Sequence, residues 1–224
     1  MSETIKIAID GPSGSGKSTL AKGLAKELGY VYVDTGAIYR TVGLFAKRNS
    51  IDPHDEDALS ARFSNIDISL KWEDGVQKIF LSDEDVSELI RTPEASMYAS
   101  AVSALPKVRA FLLEMQRSFA KKSNVIMDGR DIGTVILPDA QVKIFMQAHP
   151  EERARRRMLE LNAKGKNVTF EEVYADMCLR DKNDSTRDVA PCVPADDAVV
   201  FDNTGLDIPQ TVEKALEIIK EKLS

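Results

Sequence analysis

Ile5-Lys6-Ile7-Ala8-Ile9-Asp10-Gly11-Pro12-Ser13-Gly14-Ser15-Gly16-Lys17-Ser18-Thr19 is the stretch that decides the fold. Its first six residues form a short apolar run rich in isoleucine, which reads as a strand. The next eight fit G-x-x-x-x-G-K-[ST], and a helical periodicity follows them. Strand, glycine-rich turn and helix in this order describe a phosphate-binding loop. Glycines let backbone N–H groups converge on an anion, and the helix N-terminus adds its positive dipole end. Lys17 can reach the oxygens of a transferring phosphoryl group, and the Ser18 hydroxyl can ligate Mg²⁺. The plainer alternative, a glycine-rich turn that only caps a helix, is disfavoured by the rarity of a full match in this context. The loop says nothing about an acceptor.

Working outward, further apolar runs end near strand length at 31–34, 125–128, 142–146 and 198–202. Helical stretches follow at 18–28, 37–48, 151–164 and 210–223. Nearly continuous apolar runs fit parallel strands covered on both faces, and strand–helix alternation implies an α/β sheet with right-handed crossovers. Ligands then gather at the carboxyl ends of the strands. All of these runs except 142–146 end in an aspartate. Asp128 stands where a carboxylate would hold Mg²⁺ directly or through water, its alternative role being to cap the following loop. Asp34 ends a strand too but opens another motif, and is the weaker metal candidate.

One stretch breaks the rhythm. Residues 66–81 alternate with period two around Asp74-Gly75, which predicts an antiparallel hairpin carrying Trp72. A parallel core has no room for it, so an insert is expected over about residues 52–93. Helices at about 94–104 and 107–121 lead back to the core, and the polar stretch 164–169 joins two charged helices. The whole chain, 1–224, is read as one domain.

The 224 residues carry 30 basic and 36 acidic side chains, a net charge of −6, which disfavours a nucleic-acid partner. Hydrophobic residues make 43% of the chain, enough for an ordinary globular core. No apolar run approaches the ~18 residues of a membrane span, and the N-terminus shows no secretion signal. A cytoplasmic protein without a membrane partner is expected. Cys178 and Cys192 are too few and wrongly spaced for a zinc site or a disulfide framework, so both are read as reduced, incidental thiols. His54 and His149 are read as surface residues.

The arginines point to a second phosphate. Arg40, Arg109, Arg130, Arg180 and Arg187 lie in short polar clusters, and arginine suits bidentate phosphate recognition. Arg40 and Arg130 each follow a strand on the ligand face. A guanine-nucleotide switch would read its base with Asn-Lys-x-Asp. The nearest stretch, Asp181-Lys182-Asn183-Asp184, lacks the leading Asn.

Taken together, these motifs resemble the bacterial cytidylate kinases of the nucleoside monophosphate kinase group, from Ile7 to the C-terminal helix. The match rests on the phosphate loop Asp10–Thr19 and on Asp34-Thr35-Gly36-Ala37-Ile38-Tyr39-Arg40. It rests also on Asp128-Gly129-Arg130-Asp131-Ile132-Gly133-Thr134. Shorter agreements occur at Asp85-Val86-Ser87, Ile90-Arg91-Thr92, Lys143-Ile144-Phe145, Glu151–Arg157, Arg180-Asp181 and Ala195-Asp196-Asp197-Ala198. The resemblance implies reversible transfer of the ATP γ-phosphoryl group to CMP or dCMP with Mg²⁺, by a monomer. It implies a five-stranded parallel sheet flanked by helices, a monophosphate-binding region over about 36–121 that includes the insert, and a lid over about 151–184.

By position, Arg40, Arg130 and Arg187 would hold the acceptor phosphate, beside Thr35. Ser100, Arg109 and Asp131 would read cytosine, and Arg180 and Asp184 would face the sugar. Arg153 and Arg157 would close over ATP, the alternative being a solvated helix face paired with Glu151 and Glu160. Thr35 replaces the Ser of many members and Ser18 replaces a Gly, so both positions keep or add a hydroxyl. A kinase of another monophosphate, UMP or AMP, is the neighbouring reading.

Overall fold

The computed structural model describes residues 4–73 and 76–224. Five strands pair in parallel: β1 (Lys6–Asp10), β2 (Val31–Asp34), β6 (Val125–Asp128), β7 (Val142–Gln147) and β8 (Val199–Asp202). Their order across the sheet is β2-β6-β1-β7-β8. The period-two geometry of a strand explains why β1 is apolar throughout. Ile7 and Ile9 face α1 (Lys17–Leu28) and α8 (Ile208–Leu223), while Ala8 faces the layer built by Ala120, Ile132 and Ile136. With both faces covered, the ligand face is left to the carboxyl ends. There β1, β2 and β6 end side by side in Asp10, Asp34 and Asp128, with Asp34 and Asp128 in register.

Element bounds agree with the sequence reading within about three residues, and the helix starts lie where cap chemistry sets them. Asp34 caps α2 (Thr35–Arg48) by accepting from Ala37 N at 2.9 Å, which starts that helix ahead of its apolar stripe. Pro93, Pro106 and Pro150 open α4 (Pro93–Ser103), α5 (Pro106–Lys122) and α6 (Pro150–Ala163), since proline's missing N–H costs nothing there. A reciprocal cap between Thr169 and Glu172 opens α7 (Phe170–Thr186).

The insert carries a short helix, α3 (Glu56–Ser60), and then β3 (Ile68–Glu73) and β4 (Val76–Leu81), paired antiparallel in the expected register. The expected turn residues, Asp74 and Gly75, lie outside the described residues. A third strand, β5 (Glu84–Asp85), joins β4 and is too short to leave a pattern in the sequence. The hairpin does more than pack. Trp72 Nε1 donates to the Tyr32 carbonyl at 2.9 Å, and Asp34 N donates to Gln77 Oε1 at 2.8 Å. Both contacts fall on β2, the strand at the edge of the sheet, which pairs with β6 on one side only. The Trp72 ring meets Phe119 edge-on, with centroids 5.7 Å apart.

No helix among the described residues is long and apolar enough to cross a membrane.

Candidate active site

The phosphate loop is shaped by its backbone. Gly11 has φ 143°, and a Cβ there would lie 2.0 Å from the Met146 carbonyl oxygen, so only glycine fits. Gly14 and Gly16 also take positive φ. The N-terminus of α1 has no side-chain cap among the described residues, which leaves its amides free for an anion. Lys17 is buried and folded onto its own loop, donating to Pro12 O at 2.6 Å and Ser15 Oγ at 3.2 Å. Burial, and then Arg130, pull its ammonium down to about 7. Asn203 Nδ2 braces the loop through Ser15 O at 3.2 Å.

Beside Lys17 the Asp128 carboxylate accepts from Ser18 Oγ at 2.8 Å and from Tyr32 OH at 2.9 Å. Burial and the neighbouring Asp34 push it up to about 6. Thr35 Oγ1 donates to the Asp128 carbonyl at 2.8 Å, so Thr35 ties α2 to β6. Asp34 caps α2 through its bond from Ala37 N, while the Asp128 carboxylate, for which capping the following loop was the alternative to holding a cation, gathers hydroxyls from β2 and α1. No cluster of three acidic, His or Cys side chains with metal-holding geometry occurs among the described residues. Ser18 and Asp128 are the adjacent oxygen donors.

The other half of the site is made of side chains. Arg40 pairs with Asp34 at 2.9 Å, and Arg130 Nε with Asp184 Oδ2 at 2.8 Å. Arg180 Nε lies 4.0 Å from the same Asp184 oxygen, and burial pulls Arg180 down to about 10. Burial opposes the Asp184 charge, yet Arg130 and Arg180 hold this carboxyl below its usual range. Asp131 accepts from Arg109 in a short buried ion pair and lies 3.5 Å from Arg187 Nη2. Arg187 also reaches Ser103 Oγ at 3.3 Å and Ala190 O at 2.7 Å. The Arg109 guanidinium stands 5.6 Å from the Tyr39 ring centroid, and a cavity of about 220 Å³ opens beside them, lined also by Gln116 and Val189.

Two neighbours of this site, Ser103 and Cys192, carry no legible motif. Ser100 is half-buried on α4, and its carbonyl accepts from Ser103 Oγ at 3.0 Å. Ser103, nearly one turn later, is the residue whose side chain and carbonyl meet Arg187 and Arg109. Arg153 and Arg157 part company. Buried Arg153 donates to Ser13 O at 2.7 Å and pairs with Asp181 at 2.5 Å, while Arg157 pairs with Glu160 on its own helix at 2.7 Å. Asp181 in turn accepts from Ser13 N at 2.9 Å. Cys192 is free, as expected, but not remote. It lines a cavity of about 290 Å³ with Pro12, Arg153, Asp181 and Asp184, and burial pushes its thiol up to about 11. His54 and His149 are exposed, as expected.

The family model for cytidylate kinase matches residues 7–221, which takes in both halves of the site. The chain belongs to the cytidylate kinase family. Among relatives named cytidylate kinase, that of Caldicellulosiruptor bescii is 51% identical over 214 residues, covering 96% of this chain and 95% of its own. That of Carboxydothermus hydrogenoformans is 50% identical, covering 97% and 98%. That of Salmonella choleraesuis is 49% identical, covering 97% and 96%. Solved structures agree on the fold of this cytidylate kinase relative. A shikimate kinase from Bacteroides thetaiotaomicron superposes with a TM-score of 0.50 at 14% identity, over 96% of this chain and 98% of its own. An uncharacterized protein from Eubacterium ventriosum reaches 0.55 at 14% identity, over 98% and 99%.

Proposed function

We propose that the protein reversibly transfers the γ-phosphoryl group of ATP to CMP and dCMP, giving ADP with CDP or dCDP. The observation that carries this reading is the meeting of an uncapped phosphate loop with a set of half-buried, carboxylate-paired arginines at the carboxyl ends of one parallel sheet. Family membership supplies the substrate class.

The attacking group is a phosphate oxygen, largely ionised at neutral pH because its second pKa is ~6. It needs no general base. As it bonds to the γ-phosphorus, the bond to the β–γ bridging oxygen breaks and ADP leaves with that oxygen. Two polyanions must approach, so catalysis consists of positioning and charge stabilisation. Lys17 serves the donor side. Arg40, Arg130 and Arg187 serve the acceptor phosphate, and Arg180 with Asp184 faces the sugar. Asp34, Asp184 and Asp131 keep those three arginines aimed before a phosphate arrives. Ser18 and Asp128 fit a hard cation, since Mg²⁺ takes one or two carboxylates and fills its shell with phosphate and water oxygens. Held by Ser18 and Asp128, Mg²⁺ would supply charge neutralisation on the donor phosphates. Arg153 and Arg157 belong to the lid over ATP, Arg153 being bonded to Ser13 already. Covering the site excludes water and so limits hydrolysis.

The base is read by Asp131 and Arg109, with Ser100 on the facing helix. Cytosine offers a donor amino group at C4 and an acceptor at N3, and uracil reverses both. An ionised carboxylate only accepts and a guanidinium only donates. Two carboxylate oxygens offer about four acceptor sites, so bonds from Arg109 and Arg187 leave room for the cytosine amino group. Uracil would leave buried polar groups unpaired, at ~1–3 kcal/mol each. Asp131→Ala is therefore expected to lower kcat/KM for CMP strongly and for UMP much less, so that their ratio falls by roughly tenfold or more. If Asp131 only shapes the loop through Arg109, both substrates decline together and the ratio stays at its wild-type value. Turnover of AMP equal to that of CMP by the wild type would overturn the substrate assignment itself.

A further inference from the structure

Unlike Asp34 and Asp128, Asp10 ends its strand without a part in this scheme, although it is buried. Its Oδ1 accepts from Ile132 N and its Oδ2 from Gly133 N, both at 2.7 Å. Those amides open the π-helical turn Ile132–Ile136, whose N-cap residue is Asp131. The first amides of any helical turn lack partners inside it, and an N-cap aspartate ordinarily satisfies one with its own carboxylate. Asp131 does not. It makes no capping bond among the described residues, and its carboxylate points instead to Arg109 and Arg187. The cap comes from β1, 122 and 123 residues away in sequence. Close packing keeps the arrangement tight: a Cβ on Gly133 would sit 3.1 Å from Lys143 Cδ and 3.4 Å from Asp10 Oδ2. Burial pushes the Asp10 carboxyl up to about 7, while the two amides pull the other way.

We propose that Asp10 is a positioning residue for base selection: by capping the 132–136 turn it leaves the Asp131 carboxylate free to stay with Arg109 and meet the base. Asp10 also directly precedes Gly11, so one residue ties the donor loop to the base-reading loop. When Asp10 loses half of its acceptor capacity, the Gly133 amide competes for the Asp131 carboxylate and draws it out of the base site. The inference rests on the base-reading role given to Asp131 above, and the test separates the two.

The test is Asp10→Asn in the full chain, which keeps one carbonyl acceptor and sets an NH₂ group against the other amide. The expected result is a roughly fivefold fall in the CMP-to-UMP ratio of kcat/KM, the scale of one net hydrogen bond, carried mainly by a higher KM for CMP. The KM for ATP stays within about twofold, because a single hydrogen bond on the acceptor loop is lost. A merely structural aspartate would move both KM values together. Gly133→Ala, which presses on the same contact and leaves Asp10 intact, gives the same signature and stands in should Asp10→Asn not fold. Asp10→Asn combined with Asp131→Ala is expected to show no further fall in the ratio beyond Asp131→Ala alone. An Asp10→Asn ratio at the wild-type value, with Asp131→Ala collapsing it, overturns the role of Asp10 and leaves the base-reading intact. If Asp131→Ala itself leaves the ratio unchanged, the base-reading fails first, and the role of Asp10 falls with it.

Discussion

The donor and acceptor halves of the site do similar work with different materials. The donor half is made of backbone: three glycines at positive φ, an open helix N-terminus, and a lysine folded against its own loop. The acceptor half is made of side chains, with arginines each held by a carboxylate from another part of the chain or from the turn before. Backbone geometry tolerates almost no substitution but needs no partner. Side-chain ion pairs tolerate local change, yet every arm depends on a second residue to aim it. The two halves should therefore fail differently when damaged.

The harshest break is Gly11→Ala. The residue would have to hold φ near 143° and place its Cβ 2.0 Å from a β7 carbonyl oxygen, so β1 and β7 must separate. A loss of ~4 kcal/mol or more is expected, read as a large drop in the urea midpoint. Gly29→Ala is the control. Its φ is 68° and nothing lies within 4 Å of the added methyl, so only the left-handed strain of ~1–2 kcal/mol remains. A Gly11→Ala protein as stable as Gly29→Ala would refute the backbone-built account of the donor half.

Next in size is Lys17→Ala. The charge is used as the phosphoryl group moves, so kcat is expected to fall by ~10²–10³, as for loss of an oxyanion donor. CMP binding, measured by calorimetry without ATP, is expected to stay nearly unchanged, because the Lys17 ammonium is bonded to Pro12 and Ser15 of the donor loop. A variant that keeps a tenth of the rate, or that loses CMP binding, would erase the division between the halves.

The same division explains what could be read from the sequence. The phosphate loop is a run of residue types that only one backbone path accepts, so Gly11–Thr19 declared itself before any tertiary contact was known. Strands and helices followed from apolar period and from caps. The pairings of the acceptor half did not, because Arg130 meets Asp184 across 54 positions and Arg109 meets Asp131 across 22. Only folding brings them together. The same holds for Asp10, whose partners are two backbone amides without any side-chain signature. Ser103 went unread beside Ser100 because the phase of α4, whose bounds are set by Pro93 and Thr92, decides which serine faces Arg187. The family resemblance located the arginines but could not say which carboxylate holds each one.

The gentlest test probes how the insert reaches the acceptor half. Trp72, the only tryptophan, donates to the Tyr32 carbonyl on the free edge of β2, and Gln77 takes the Asp34 amide two residues later. Asp34 is the end of β2, the cap of α2 and the partner of Arg40. A hairpin that fixes this edge therefore fixes the origin of an acceptor arginine. Trp72→Phe keeps an aromatic ring against Phe119 and removes only the N–H. The Tyr32 carbonyl then loses one hydrogen bond, worth ~0.5–1.5 kcal/mol, and Tm should fall by a few degrees. Because the bond lies two residues from Asp34, part of that loss should appear as a twofold to threefold rise in the KM for CMP, on the order of 0.5 kcal/mol. Tyr32 also donates to Asp128, but through its side-chain hydroxyl, which the substitution leaves in place. The KM for ATP should accordingly stay where it was. An equal rise in both KM values would mean that the insert steadies the sheet as a whole, and the boundary between a backbone-built and a side-chain-built half would not extend to the elements that support them.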